Sequence, residues 1–99
     1  MTDSLSSLRL FSRVARTGSF TEAGREVGLS QPSVSRIISK VEKDLGVALF
    51  TRTTHAVRLT EAGEEYLSRI EPILTDMEEA NHVVRGTGEL RGLLRIGAS

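Results

Sequence analysis

Apolar residues recur along this chain at two different spacings, and the changes of spacing divide it into elements. Leu5, Leu8, Phe11, Val14 and Ala15 follow at intervals of helical period, which predicts a first helix with one buried side. Thr17-Gly18 should end it, since glycine suits the left-handed position beyond a helix C-terminus. Ser19 followed three residues later by Glu22 reads as a capping box, in which hydroxyl and carboxylate each take an orphan amide at a helix start. The short second helix is expected to bury Phe20, Ala23 and Val27 and to stop at Gly28-Leu29. Ser30, Gln31 and Pro32 open a third, with proline in a first turn where its missing N–H is not needed. Val34, Ile37, Ile38, Val41 and Leu45 form its single apolar stripe, and Gly46 breaks it.

The polar side of the third helix is the informative one. At about 100° per residue, Arg36, Lys40 and Lys43 fall together opposite the stripe, with Glu42 and Asp44 toward the margins and Ser33, Ser35 and Ser39 adding hydroxyls. On most helices such a side is only a solvated surface. Two short helices joined by a tight glycine-containing turn, the second exposing a polar and basic N-terminal half, are however the layout of a helix-turn-helix. That side would then face a DNA major groove, where Gln, Ser and Arg hydrogen-bond base edges and Lys neutralises phosphates.

Beyond Gly46 the spacing shortens. VALFTRTTHAVRLT predicts two short strands around a polar tip, a hairpin or wing, with Leu49 and Phe50 anchoring one side and Val57 and Leu59 alternating with Arg58 on the other. Arg52 and Arg58 flank the tip, where they suit phosphate contact. Thr60 is a candidate N-cap, with Glu61 and Glu64 in the first turn that the helix dipole favours. Tyr66, Ile70, Ile73, Met77, Ala80 and Val84 then recur as a heptad seam of the kind two helices share. The competing reading packs this seam on its own domain, but a helix of some 25 residues spans about 38 Å and outruns a domain of this size. Pro72 predicts a bend near residues 68–71. RGTGELRGLLRIGAS opens with two glycines as a linker, and Leu93 to Ile96 read like the start of a strand.

Composition and charge sharpen this division. The 99 residues, 38% hydrophobic, suffice for one small domain with an appendage. The net charge of zero hides a balance of +4 in residues 1–60 and −4 in residues 61–99, a basic front and an acidic back suggesting two jobs. No cysteine, no signal peptide and no run of membrane-spanning length point to a cytoplasmic protein with no membrane association. No Gly-rich phosphate loop is present, and His55 and His82 stand far apart, so no enzyme, metal site or cofactor is expected. The rival function is a helical protein-interaction and dimerisation module built on the seam.

The run SFTEAGREVGLSQPSVSRIISKVEKDLGVALFTRTTHAVRLTEAGEEYL is similar to the N-terminal winged helix-turn-helix of LysR-type transcriptional regulators, over about residues 5 to 90. The SQPSVS, VEKDLG, LFTRT and LTEAG segments appear in the order and at the spacing of that family. The resemblance implies a mainly α fold of three helices and a short β-hairpin wing, followed by a long linker helix that pairs with a partner's copy. The corresponding divisions are 1–60 for DNA binding, 61–86 for the dimerisation helix, and 87–99 for a hinge and the start of an effector-binding domain. It places Gln31, Pro32, Ser33, Ser35 and Arg36 at the base-reading start of the recognition helix, and Arg52 and Thr53 at the start of the wing. Ser19, Thr21, Ser30, Ser39, Lys40 and Lys43 are expected on the DNA backbone, and Thr54, His55 and Arg58 complete the wing. The implied partners are double-stranded DNA carrying an interrupted dyad and a second copy of the chain, with a tetramer in the full-length protein. A small-molecule effector would act only through the further domain, so the chain reads as a DNA-binding fragment. Two departures stand out: Gly24 replaces an alanine frequent in relatives, and His55 and Ala56 stand where relatives often carry basic residues.

Overall fold

The computed structural model describes the backbone of residues 4–53 and 56–98, and the side chains of 5–53 and 56–87. Six elements follow in chain order: α1 (Ser4–Thr17), α2 (Phe20–Val27), α3 (Gln31–Leu45), β1 (Phe50–Arg52), β2 (Val57–Leu59) and α4 (Glu61–Ala98). The two strands pair antiparallel with Phe50 opposite Leu59 and Arg52 opposite Val57, giving the expected wing. Thr54 and His55 lie outside the described residues.

Local chemistry explains the boundaries. Ser19 caps α2 by accepting the Glu22 amide at 3.1 Å, but the reciprocal half of the expected capping box is not made. The Ser19 N–H donates instead to the Thr17 hydroxyl at 3.3 Å, and the Glu22 carboxylate pairs with Arg25 one turn on. Gly28 closes α2 in the left-handed region at φ 77°, and Ser30 starts α3 two residues later by accepting the Ser33 amide. Thr60 caps α4: its hydroxyl accepts the Gly63 amide at 3.0 Å and donates to the Ala48 carbonyl at 2.7 Å, tying the helix to the wing base.

The core lies where α1, α2, α3, the wing and the first turns of α4 meet. Phe11, Val14, Ala23, Val34, Ile38 and Leu49 are fully enclosed. All four aromatic residues of the chain converge there, Phe11 lying 5.2 Å from Phe50 and 5.5 Å from Tyr66 between ring centroids, with Phe20 edge-on to Phe50 at 6.2 Å. Gly24 allows the helix-turn-helix to close: a Cβ on it would overlap the Leu29 carbonyl and come within 3.0 Å of Val34 Cγ2. Two residues assigned to the interior are outside it. Val27 is 44% exposed and Leu45 is also exposed, because each sits in the last turn of its helix, where no neighbouring element covers the stripe.

The long helix departs from expectation in two ways. It runs as one continuous element through Pro72, whose missing donor leaves the Ser68 carbonyl on an exposed stretch. It also continues to Ala98 through the glycines taken for a linker, and no strand begins at Leu93. Among the described residues no strand lies beyond β2 to pair with one there, and a lone strand has no ladder to hold it. Finally, the seam is shared out. Ile70 is 4% exposed and lies, with Leu74, in the domain's own core, and Tyr66 is half-buried against Phe11. Ile73 at 55%, Met77 at 39%, Val84 at 68% and Ala80 remain open. The reason is geometric: the helix is tangent to the domain only up to Leu74 and then leaves it, producing a molecule 59 Å long.

Candidate nucleic-acid interface

With Val34 and Ile38 locked in the core, the opposite side of α3 is largely uncovered among the described residues, with Arg52 reaching Ser39 at its edge. Gln31, Pro32, Arg36, Ser39, Lys40 and Lys43 are exposed along it, and Ser33 and Ser35 are half-buried at its edges. Among the described residues Arg36 and Lys43 form no ion pair, so their charges are available to a ligand. Lys40 approaches Asp44 at 3.7 Å, but both side chains are mostly exposed, and a surface pair of this kind contributes well under about 1 kcal/mol and yields readily to a phosphate. Ser30 and Ser33 share a hydroxyl bond of 3.0 Å at the helix start, where N–H groups point outward and the helix dipole favours an anion.

Beside this face an open groove of about 520 Å³ separates α3 from the wing, lined by Ser19, Thr21, Gln31, Ser35, Arg52 and Thr53. The fold therefore brings residues 31 and 35 of α3 together with residues 52 and 53 of the wing. Arg58 is exposed on β2 opposite Thr51 and forms no ion pair among the described residues. Ser19 hydrogen-bonds the backbone of its own helix, and its contribution to the groove is as part of an N-terminal rim. Arg52 is less free than a wing-tip cation was expected to be. Its Nη2 donates to Ser39 Oγ at 3.3 Å and to Glu42 Oε1 at 3.4 Å, and its guanidinium lies 4.9 Å from the centre of the Phe20 ring.

Sequence reasoning missed Glu42. Read as a marginal surface charge, it is more than four-fifths enclosed: its Oε2 accepts the amides of Leu49 at 2.7 Å and Phe50 at 3.2 Å, while Oε1 faces Arg52. The only signal in the chain was an acidic residue at the edge of the apolar stripe a few residues before a buried Leu-Phe pair, whose amides need an acceptor.

Three helices, a two-stranded wing and an uncovered basic recognition face define a winged helix-turn-helix. The family model described as "Bacterial regulatory helix-turn-helix protein, lysR family" matches residues 5–64, and the chain belongs to that family. It is 43% identical over 96 residues to an uncharacterized HTH-type transcriptional regulator in the ibpB-leuC intergenic region of Azotobacter vinelandii, covering 96% of this chain and 67% of that protein. It is 42% identical over 99 residues to the RuBisCO operon transcriptional regulator of Allochromatium vinosum, covering 97% of this chain but 32% of the relative. Among solved structures, the CbnR_DBD–DNA complex superposes with a TM-score of 0.77 at 29% identity, covering 87% of this chain and 99% of that one. The BenM_DBD/benA site 1 DNA complex does so with a TM-score of 0.79 at 27% identity, over 87% and 97%. The architecture is thus that of the DNA-binding domain of LysR-family regulators, and no helix among the described residues is long and apolar enough to cross a membrane.

Proposed function

We propose that this chain binds double-stranded DNA sequence-specifically as the reading head of a transcription regulator, and that it performs no catalysis. The observation that carries the proposal is the outward side of α3, where Gln31, Arg36, Ser39, Lys40 and Lys43 stand exposed, with Arg36 and Lys43 outside any ion pair among the described residues. Gln31 and Arg36 are the base readers, since amide and guanidinium groups pair bidentately with purine edges, and Pro32, Ser33 and Ser35 shape the contact beside them. Lys40, Lys43, Ser30, Ser39 and Thr21 hold the phosphate backbone, and Arg52, Thr53 and Arg58 follow the adjacent strand from the wing. The DNA complexes among the structural relatives support the same reading. A cytoplasmic setting belongs to it, as that is where bacterial duplex DNA lies.

A second copy is part of the proposal. The exposed apolar residues Ile73, Met77, Ala80 and Val84 on α4 would be covered by a partner's α4, and two reading heads joined in this way engage two half-sites of an interrupted dyad. The test is titration of a labelled duplex across salt concentrations: the logarithm of the association constant should fall linearly with the logarithm of salt. Binding that ignores salt, or no binding, would leave only the interaction module.

A further inference from the structure

We infer that Glu42 is a positioning residue of the DNA interface, aiming Arg52 at the groove between recognition helix and wing; the inference rests on the DNA-binding reading above. Glu42 divides its carboxylate between two tasks. Oε2 takes the amides of Leu49 and Phe50, which fixes the base of the wing on α3, and Oε1 takes Arg52 Nη2. Ser39 Oγ accepts from the same nitrogen and the Phe20 ring lies beneath the guanidinium, so Arg52 is gripped from two polar sides and one face. The Glu42 side chain is only 17% exposed, whereas that of Arg52 is 41% exposed and lines the groove with Gln31, Ser35 and Thr53. A guanidinium carries five N–H donors in a rigid fork, so a clamp on Nη2 leaves the others to face a phosphate in a fixed direction.

The sign of the effect separates this role from plain electrostatics. A carboxylate beside a polyanion repels it, so removing the charge of Glu42 should by Coulomb's law alone tighten DNA binding. Positioning predicts the opposite. Glu42→Gln is the selective variant: its amide oxygen still accepts the Leu49 and Phe50 amides, while its NH2 group turns a donor toward Arg52.

The experiment measures affinity for a duplex selected by the wild-type protein from a random library, and for random duplex, with thermal unfolding alongside. E42Q should keep the cooperative unfolding transition and weaken the selected and the random duplex alike, by about tenfold, because the contact that Arg52 makes is to phosphate. In an Arg52→Ala background the further substitution E42Q should bring no further loss, because the loss passes through Arg52. If E42Q proves unstable, Arg52→Lys serves in its place, since it keeps the charge but loses the fork held by Glu42 and should show the same uniform loss. Unchanged or tighter binding by E42Q, or a loss that persists undiminished in the Arg52→Ala background, would overturn the inference. A wild-type protein that fails to select any duplex would instead overturn the DNA-binding reading itself.

Discussion

Gly63, in the first turns of α4, lies against the carbonyl of Leu49, which leads into the wing. A Cβ at position 63 would overlap that oxygen and approach Leu59 Cδ2 to 2.9 Å. The Leu49 carbonyl also accepts the Thr60 amide at 2.9 Å, so it cannot move aside without loosening the helix start. Gly63→Ala should therefore destabilise the domain by about 1 to 3 kcal/mol despite alanine's better helix propensity. Urea unfolding followed by circular dichroism checks this, and an equal or higher midpoint would mean that the junction has slack.

Replacing Gln31 or Arg36 by Ala should cost about 1 to 3 kcal/mol on a selected duplex and much less on random DNA, because only base contacts discriminate. Competition titrations with both duplexes measure the difference. Equal losses on the two would remove these residues from base reading.

Lys40 and Lys43 should act uniformly. Alanine at either is expected to weaken every duplex alike and to lower the magnitude of the salt slope by about one, since each phosphate left without its lysine keeps its counterion. Slopes from anisotropy titrations at several salt concentrations provide the readout; a slope that does not change places the lysine off the DNA.

Neighbouring residues of α4 should respond in opposite ways. Ile70 is buried in the domain core, so Ile70→Ala should lower stability by about 2 to 5 kcal/mol. Ile73 is open, so Ile73→Glu should leave the winged domain folded while separating the proposed dimer, since a carboxylate pressed against a partner's apolar face loses its hydration. Analytical ultracentrifugation with circular dichroism distinguishes the cases. A dimer that survives Ile73→Glu would place the pairing surface elsewhere.

What was legible in the sequence was what depends on neighbours along the chain. Ser19, Ser30, Thr60 and the glycines after each short helix mark helix ends through their own backbone chemistry, and the face formed by Arg36, Lys40 and Lys43 follows from the helical period. What was hidden depends on contacts across the fold. Periodicity places Ile70 and Ile73 on one seam but cannot say where the helix leaves its domain, so the first became core and the second stayed open. Val27 and Leu45 belong to apolar stripes whose ends nothing covers. The Ser19 and Glu22 pattern named the cap but not the competitor, as the Thr17 hydroxyl reached the Ser19 amide first. Glu42 was illegible because its partners Leu49, Phe50 and Arg52 lie seven to ten residues on, across a turn that local spacing does not fold.

The central claim is that α3 reads base sequence in duplex DNA, and the most direct test is the ratio of affinities for a library-selected duplex and random duplex at physiological salt. A preference on the order of a thousandfold is expected, collapsing toward one when Arg36 and Gln31 are both replaced by Ala. A wild-type protein that binds all duplexes with the same affinity would contradict it.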